Sequence, residues 1–430
     1  GSDLSSMNNL VGSETLTISG AGSLSNANAG SNKSVSVGTL ALSNGSNGGL
    51  ASNYTMSGGT HRLTVNQAPI SFAGTRQYDG TTDAANSDIT LSGLQGGEAL
   101  ALSGTGTIAS ANVGSGKSVT LNSLSLGDNT GAASNYTFTG GTHTFDVTQR
   151  VLGSSGSRVY DGTTNASNSD LTLSNLVGSE TLTLSGTGTI ASKNVSSNKT
   201  VTLNTLAIAD GSNGGLAANY TLSSGTHQLT VSQRPVNVSG TRLYNALATA
   251  VASDLSTMTN LVGSETLTLS SNGTIASKDV GSNKTVTIGS LSLGNGSNGG
   301  LAANYTLTGG THRLTVNQRP LNATIARQYD GTTNAAGSDI SSFNDLQSSE
   351  TLTMTGTGTV SSKNVANGQS VTVGSLALAD GSNGGLASNY SLNSAALNIT
   401  QRPVNVSGTR LYNALATAVA SDLSTMTNLV

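Results

Sequence analysis

Apolar and polar residues alternate along most of this chain. In the stretch Thr181-Leu182-Thr183-Leu184, both leucines fall on the same face of an extended backbone. A period of two is typical of a half-buried β-strand. The threonine and valine of these stretches agree with this interpretation, because both residue types favour strands. The pattern predicts an all-β protein.

One recurring segment changes the parity of its apolar positions. Val201 and Leu203 fall on one face of the strand, and Leu206 and Ile208 fall on the other. A strand that changes parity has to bulge, kink or move to another sheet, because otherwise half of its apolar side chains would face water. We predict a β-bulge or a sheet crossing at Asn204 and wherever the same segment recurs.

Clusters of turn residues separate the strands. Segments 210–215 and 160–164 contain Gly with Asn or Asp, residues that accept a positive φ. Segment 246–252 is rich in alanine and leaves room for a helical turn or two, although the β-branched and serine residues around it disfavour a long helix. We therefore expect small β modules with room for one short helix each.

The pattern returns about every 84 residues. All five glutamates stand at one position of this repeat, and all four prolines stand at another. The ten tyrosines occupy two positions: Tyr54, Tyr136, Tyr220, Tyr305 and Tyr390 at one, and Tyr78, Tyr160, Tyr244, Tyr329 and Tyr412 at the other. Rare residue types held at one phase indicate a structural repeat. We predict that these tyrosines are its structural anchors.

The period divides the chain into copies. Residues 1–67 are the back part of one copy, residues 68–149, 150–233, 234–318 and 319–401 are four complete copies, and residues 402–430 are the front part of another. Residues 402–430 repeat residues 234–262 without a difference. No sub-repeat of roughly 20 to 30 residues occurs, which argues against the alternative of a continuous β-solenoid.

A short, stiff connection joins adjacent copies. Gln233-Arg234-Pro235 stands at one such connection. Proline fixes φ and removes a hydrogen-bond donor, whereas flexible linkers need several Gly or Ser. Small modules have thin cores and gain stability from stacked neighbours. We expect Tyr54 and Tyr78 to pack near a contact between copies, and the array to form an elongated rod of about 150 Å.

Composition and charge exclude several classes of function. The formal net charge is −3 and only 9% of the residues are charged, so a nucleic-acid partner has no basic surface to bind. No run of 18 apolar residues occurs, and we expect no membrane insertion. The absence of cysteine excludes disulfides, thiolate metal sites and a thiol nucleophile.

Candidate metal ligands are sparse. One histidine recurs in each of four copies: His61, His143, His227 and His312. A metal site needs several convergent ligands, so we expect surface strand residues. The loop at Asp210 has one carboxylate, and Asn44 and Asn295 replace it in other copies. Calcium takes six or more oxygens, so we expect a plain turn there.

The remaining polar residues predict no catalytic site. Glu180 and its counterparts are lone carboxylates, whereas glycoside hydrolysis needs two, so we expect a solvated or turn-capping role. Lys33 and its counterparts raise the alternative of Lys–Asn isopeptide bonds, but Gln369 replaces the lysine in the fifth copy. The Asn219-Tyr220-Thr221 tripeptide fits a glycosylation sequon, which we interpret as a turn asparagine before an anchor. We expect no catalytic, cofactor-binding or metal residue, no cofactor and no enzymatic activity.

Several blocks in fixed order carry a family resemblance. They are Tyr160-Asp161-Gly162-Thr163-Thr164, Leu176-Val177-Gly178-Ser179-Glu180-Thr181-Leu182, Ser192-Lys193-Asn194-Val195, Ala218-Asn219-Tyr220-Thr221-Leu222 and Gln233-Arg234-Pro235. Over essentially its whole length the chain resembles the YDG repeats and the related MBG-type modules of large bacterial surface proteins. Such modules are found in filamentous-haemagglutinin-like adhesins exported by two-partner secretion.

The resemblance implies a fold, a location and a role. It implies tandem, β-grasp-like stalk modules of an extracellular adhesin or biofilm-matrix protein on the cell surface of a Gram-negative bacterium, and it implies no catalytic residue. Two copies depart from the pattern, because Asn245-Ala246 and Asn413-Ala414 replace the Asp-Gly that follows the tyrosine. The turn at these two places is expected to differ.

Two functions remain open from the sequence. The first is a structural stalk or fibre that mediates cell–cell or cell–surface adhesion and biofilm formation. The alternative is an array in which each copy binds polysaccharide weakly and multivalency supplies the avidity, although the chain lacks tryptophan. The partners that these functions imply are neighbouring repeats of the same chain, exopolysaccharide, and other filaments or cells joined through exposed strand edges.

Overall fold

The computed structural model describes residues 3, 4 and 6–430, which form short strands joined by turns. The chain divides into two compact units. The first comprises Gly1–Gly156, Asn165–Ala191 and Asn198–Leu229, and the second comprises Ser157–Thr164, Ser192–Ser197 and Thr230–Val430. Within the described residues, no helix has the length and apolar character needed to cross a membrane.

The strands follow the period of the sequence. The back part, 1–67, contains β1 (Leu16–Ser19), β2 (Ser23–Leu24), β3 (Gly30–Ser36), β4 (Ala41–Asn44) and β5 (Arg62–Val65). Copy 68–149 contains β6 (Ala68–Pro69), β7 (Ser71–Gln77), β8 (Asp83–Ala85), β9 (Ile89–Ser92), β10 (Ala101–Ser103), β11 (Thr105–Ile108), β12 (Gly114–Thr120), β13 (Ser125–Gly127), β14 (Tyr136–Thr137) and β15 (His143–Thr148).

The next two copies repeat this order. Copy 150–233 contains β16 (Arg150–Val151), β17 (Gly153–Val159), β18 (Asn165–Ser167), β19 (Leu171–Ser174), β20 (Leu182–Ser185), β21 (Thr187–Ile190), β22 (Ser196–Thr202), β23 (Ala207–Asp210), β24 (Tyr220–Thr221) and β25 (His227–Ser232). Copy 234–318 contains β26 (Arg234–Pro235), β27 (Asn237–Leu243), β28 (Thr249–Val251), β29 (Thr257–Thr259), β30 (Leu267–Ser270), β31 (Asn272–Ile275), β32 (Gly281–Thr287), β33 (Ser292–Asn295), β34 (Tyr305–Thr306) and β35 (His312–Asn317).

The last stretch merges some of these strands. Copy 319–401 contains β36 (Arg319–Gln328), β37 (Asn334–Ala336), β38 (Ile340–Phe343), β39 (Leu352–Thr355), β40 (Thr357–Thr359), β41 (Ala366–Ser370), β42 (Ala377–Asp380) and β43 (Tyr390–Thr400), and residues 402–430 contain β44 (Asn405–Ser407) and β45 (Thr425–Thr427). Single 3₁₀ turns lie at Ala51–Asn53, Asn86–Asp88, Ala133–Asn135, Asn168–Asp170, Ala217–Asn219, Ala252–Asp254, Ala302–Asn304, Gly337–Asp339, Ala387–Asn389 and Ala420–Asp422.

Copy 68–149 lies within the first unit and shows how one module is built. Its larger sheet has the order β8-β11-β12-β15-β7-β9. The strands β7 and β15 pair in parallel, from Phe72 opposite His143 to Gln77 opposite Thr148. The other neighbours in this sheet are antiparallel. Because an early and a late strand of the copy lie side by side, the copy closes on itself before the next one begins. Copy 234–318, in the second unit, has the same strand order.

Alternate residues of the central strands form the core of this module. Phe145 and Val147 of β15 are buried, and so is Phe72 of β7. Strand β11, which pairs with β12 in the same sheet, carries Gly106, and a Cβ placed there would lie 2.7 Å from Val119 Cγ1 of β12. Since real Cβ atoms do not approach that closely, glycine is required at this point. The all-β modules expected from the period-two pattern are therefore confirmed.

The parity change marks a crossing between sheets. Strand β22 ends at Thr202, where it pairs with β21, and β23 pairs with β20 in a separate two-stranded sheet. Between them, the amide of Leu206 donates to the carbonyl of Leu203 at 2.8 Å, and Asn204 has a φ of 47°. A tight turn therefore moves the chain from one sheet to the other, and the crossing predicted at Asn204 is confirmed.

The helical turn predicted for segment 246–252 is wrong. Residues Thr249–Val251 form β28, which pairs antiparallel with β31, and a single 3₁₀ turn follows at Ala252–Asp254. Ala246 has a φ of 61°, a left-handed conformation that a right-handed helix cannot contain. The backbone groups of this segment are therefore satisfied across a strand pair and not within a helix.

Candidate functional site at the junction between copies

A carboxylate and two tyrosines meet where consecutive copies join. Tyr78, at the front of copy 68–149, donates its hydroxyl to Glu180 Oε1 of the next copy at 2.6 Å. Tyr220, at the back of that next copy, donates to Glu180 Oε2 at 2.6 Å. The two rings lie edge to face, with centroids 5.4 Å apart, an arrangement that aromatic pairs prefer. We call this contact the tyrosine–glutamate junction.

The second unit contains two further tyrosine–glutamate junctions. In one, Tyr160 and Tyr305 donate to Glu265 at 2.7 and 2.6 Å. In the other, Tyr244 and Tyr390 donate to Glu350 at 2.6 and 2.7 Å. The ring centroids are 5.4 and 5.3 Å apart, again edge to face. Two tyrosines and one glutamate therefore join copies at each of these places.

Local structure fixes each tyrosine. The back tyrosine Tyr220 follows the 3₁₀ turn Ala217–Asn219 and pairs in parallel with Arg150. Its hydroxyl also accepts the amide of Val177 at 3.1 Å. The front tyrosine Tyr78 directly follows β7, and its amide donates to the carbonyl of Thr148 at 2.9 Å. Both rings are thus held by backbone bonds of their own copies before they meet.

A lysine completes the junction in the second unit. Lys193 Nζ lies 3.0 Å from Glu265 Oε1, and Lys278 Nζ lies 2.6 Å from Glu350 Oε1. Ala111 stands at the equivalent position before Glu180. Where the lysine is present the glutamate is buried, and Glu180 is only half-buried.

The junction raises the pKa of its tyrosines and lowers the pKa of the buried glutamate Glu265. Burial, together with the bond to the carboxylate, raises the pKa of Tyr220 and of Tyr305 to about 12. Burial alone would raise the pKa of Glu265, but the hydrogen bonds from Tyr305, Tyr160 and Lys193 together outweigh it, so this pKa lies below its ordinary value. The glutamate is therefore held as a carboxylate and the tyrosines as neutral donors.

A buried asparagine forms a second clamp beside the tyrosines. Asn219 is 1% exposed, and its Oδ1 accepts the amide of Val113 in the preceding copy at 2.9 Å. Its Nδ2 donates to Asn112 Oδ1 at 3.0 Å. Counterparts that make the same pair of bonds are Asn135, Asn304 and Asn389. The asparagine of the Asn-Tyr-Thr tripeptide is thus an inter-copy contact, which the turn interpretation missed.

A glycine and a valine touch at the edge of the junction. Gly80 has a φ of 80°, and a Cβ placed on it would lie 2.9 Å from Val177 Cγ1 of the next copy. The corresponding distance is 2.5 Å between Gly162 and Val262. Gly331 and Val430 stand in the same relation at 2.6 Å. The glycine after Tyr-Asp is therefore required both by its backbone conformation and by its neighbour.

The other four predicted tyrosine anchors are Tyr54, Tyr136, Tyr329 and Tyr412. Tyr54 donates to Glu14 at 2.5 Å and Tyr136 to Glu98 at 2.7 Å, each to the glutamate of its own copy, as Tyr220 does to Glu180. Tyr329 lines a groove of about 770 Å³ that Val365 and Val430 also line. Tyr412 is 94% exposed. The ring contact of Tyr78 is with Tyr220, 142 residues later in the chain by subtraction.

Two expectations for polar residues are wrong. Glu265 and Glu350 were expected to be solvated or turn-capping, but both are buried and receive hydroxyl donors from two copies. His227 and His312 were expected on the surface, but both are buried. Their Nε2 atoms lie 2.8 Å from the carbonyls of the residues five positions earlier.

The loop carboxylates serve as backbone caps. Asp210 Oδ1 accepts the amide of Ala217 at 2.7 Å, and Asn44 Oδ1 accepts the amide of Ala51 at 2.8 Å. Asparagine replaces aspartate here because the contact needs only an acceptor. In residues 3, 4 and 6–430, no group of three or more His, Asp or Glu side chains is arranged to hold a metal ion.

Comparison with known families assigns the repeat. A search of the curated proteins found no match. The YDG domain matches residues 1–61, 60–144, 147–227, 226–313 and 311–399. The copy boundaries proposed from the period remain a prediction beside these matches. Since the matches extend over most of the sequence and the copies share one set of junction residues, the chain belongs to the YDG domain family.

Proposed function

We propose that this chain is a structural stalk or fibre region of a secreted bacterial surface adhesin, and that it serves adhesion between cells or to surfaces and biofilm formation. The observation that carries the proposal is the tyrosine–glutamate junction. The rare residues that recur with the period, tyrosine and glutamate, are used to attach one copy to the next. The use of these rare residues at the junctions fits a protein that is extended and bears mechanical load.

The chemistry of the junction supports this role. Hydrogen bonds to an ionised acceptor are roughly twice as strong as neutral ones, and here the bond from the front tyrosine to the glutamate links two copies. The asparagine clamp adds two bonds to each junction. Gln149 Nε2 also donates to the carbonyl of Ala218 in the next copy at 3.2 Å. Pulling two copies apart therefore breaks several bonds together.

The setting of the proposal rests on the family. YDG repeats resemble the modules of filamentous-haemagglutinin-like adhesins exported by two-partner secretion, and we place this chain with them, outside the cell on the surface of a Gram-negative bacterium. The role is structural and not enzymatic. Neighbouring repeats are the first partners, and other filaments, other cells or exopolysaccharide are the further ones.

A surface-display experiment tests the stalk. A small binding module is displayed on bacteria at the end of one, two or four copies, and its access to a large immobilised target is measured. A stalk predicts that access rises with copy number. Glu265→Gln with Glu350→Gln should reduce access at equal length, and Asp83→Asn, at an exposed carboxylate of copy 68–149, serves as the matched control.

Two results would count against the stalk. If access did not depend on copy number, the copies would not act as a spacer, and the proposed mechanical role would be contradicted. Binding of exopolysaccharide by the copies alone, rising with their number in the absence of the module, would favour the multivalent polysaccharide array instead.

A further inference from the structure

The chain joins copies that share most of their junction residues, and each copy has to dock against its own neighbour. Residues 402–430 are identical to residues 234–262, and the tyrosine–glutamate contact and the asparagine clamp recur from junction to junction. Contacts that are the same at every junction cannot distinguish the correct neighbour from another copy. A discriminating contact must use positions that differ between copies.

The glycine–valine contact uses such positions. Gly162 comes two residues after the front tyrosine Tyr160, and Val262 comes three residues before Glu265. A Cβ on Gly162 would lie 2.5 Å from Val262 Cγ1, closer than real Cβ atoms approach. Alanine at 162 is therefore incompatible with valine at 262 unless one side moves.

One junction in the chain carries the other combination. Ala246 comes two residues after Tyr244, and Gln347 comes three residues before Glu350. Since Tyr244 bonds to Glu350 as Tyr160 bonds to Glu265, Ala246 and Gln347 hold the same places in the junction. Where the glycine is replaced by alanine, the opposing valine is replaced as well.

Side-chain shape explains the pairing. Valine carries two γ carbons on a stiff χ1 and cannot swing away from a new methyl group. Glutamine has one γ carbon and an unbranched Cβ, so its rotamers can leave the space that an alanine methyl needs. Glycine opposite glutamine would leave that space empty. The two combinations, Gly with Val and Ala with Gln, are each self-consistent, and the crossed combinations are not.

We propose that this pair of positions is a specificity determinant that divides the junctions into two classes, Gly with Val and Ala with Gln. The front of a copy presents either Gly or Ala, and the following copy must present Val or Gln to match. The shared tyrosines, glutamate and asparagine supply the attachment, and this pair supplies the discrimination. The proposal does not depend on the stalk function.

The test is a mutant cycle in the full chain. Gly162→Ala creates the crossed pair, and Gly162→Ala with Val262→Gln creates the matched one. Hydrogen exchange of the peptide that contains residues 260–266 reports on this junction, and exchange of the peptide around Glu350 reports on an unaltered one. We expect the single variant to exchange at least tenfold faster at 260–266, and the double variant to return to within threefold of the wild type.

The cycle separates discrimination from backbone strain. Alanine at a positive φ is strained whatever its neighbour. The Gly162→Ala variant and the Gly162→Ala, Val262→Gln variant both carry this strain. A difference between them therefore reports the contact between positions 162 and 262. Equal exchange in the two variants, or no acceleration in the single variant, overturns the proposal. The reverse cycle uses Gln347→Val, expected to loosen the junction at Glu350, with Ala246→Gly expected to restore it.

Discussion

A carboxylate shared by two copies is the main polar contact of each tyrosine–glutamate junction. Burying a carboxylate is costly unless it is well supplied with donors. Glu265 receives the hydroxyls of Tyr160 and Tyr305 and the ammonium of Lys193. Removing any one donor leaves a partly unsatisfied charge inside the protein, so the contact is sensitive to small changes.

Replacing a single tyrosine hydroxyl tests this sensitivity. Tyr305→Phe keeps the ring contact with Tyr160 but removes one donor to Glu265, and we expect a loss of about 1–3 kcal/mol in the free energy of unfolding. Chemical denaturation measures it. Tyr54→Phe is the control, because Glu14 is not fully buried and its freed oxygen can bind water. Equal losses in the two variants would contradict the account.

Alkaline pH should weaken the junctions. The pKa of Tyr78, Tyr220 and Tyr305 is raised from 10.0 to about 12, so the neutral hydroxyl is stabilised in the folded state. The stability from this shift is fully present below pH 10 and is lost as the pH rises toward 12, by up to about 2 kcal/mol for each tyrosine. Urea midpoints between pH 8 and 12 measure it. A Tyr78→Phe, Tyr220→Phe double variant should show a shallower decline, and an unchanged slope would refute the assignment.

The periodic positions of tyrosine and glutamate were visible in the sequence, but their partners were not. Tyr78 meets Glu180, 102 residues away, and a strict period cannot show whether equivalent positions meet within a copy or across two. The lysine contact was missed for a different reason. Lys193 is replaced by Ala111 in the copy before, so it lacks the strict recurrence that drew attention to the other residues.

At the scale of the strand, the decisive element is the turn that carries the chain between two sheets. Asn204 adopts a φ of 47°, and Gly38, Gly289 and Gly374 stand at the equivalent place with φ of 57°, 56° and 54°. Residues that tolerate the left-handed region thus occur there in each of these copies. Asn204 also donates from Nδ2 to Thr189 Oγ1 at 3.0 Å.

Substitution at this turn should follow backbone tolerance. Asn204→Val places a β-branched residue at positive φ and is expected to cost about 1–3 kcal/mol. Asn204→Gly is the matched control and should cost less, because glycine adopts this conformation freely and loses only the bond to Thr189. Thermal unfolding of both variants measures the difference. If the valine variant were as stable as the glycine variant, the turn would not be a backbone requirement.

The alternation of apolar residues correctly predicted the crossing between sheets at Asn204, whereas alanine content wrongly suggested a helical turn at 246–252. The parity change between Leu203 and Leu206 is a property of neighbouring residues, and it directly reports a change of sheet. The alanines of 246–252 favour a helix only when nothing competes. Here Thr249–Val251 pair with β31, and this tertiary pairing decides the outcome.

At the scale of the whole molecule, the junctions differ in strength. Stability in tandem arrays is approximately a sum of module stabilities and nearest-neighbour contacts, so the weakest contact opens first. Glu180 has two tyrosine donors, and Ala111 stands at the position of the lysine. Glu265 and Glu350 each have two tyrosine donors and a lysine. The elongated rod expected from the repeat stays a prediction, which small-angle scattering can check.

Supplying the missing lysine should strengthen the junction at Glu180. Ala111→Lys places an ammonium where Lys193 and Lys278 stand in later copies. Because such a lysine is about one-third exposed, we expect a gain below about 1 kcal/mol that shrinks at high salt. Hydrogen exchange around Glu180 at low and high salt measures it. Ala111→Met is the uncharged control, and an equal gain from methionine would point to packing and not to charge.

The offset between a tyrosine and its glutamate has a consequence for how the protein is made. The glutamate follows its front tyrosine by 102, 105 or 106 residues. When the chain emerges progressively with its amino end first, the early domains fold first. Each finished copy therefore displays its tyrosine until the next copy has emerged far enough to offer a carboxylate. The junctions therefore form in order from the amino end, and the junction of the most recently folded copy is the last to form.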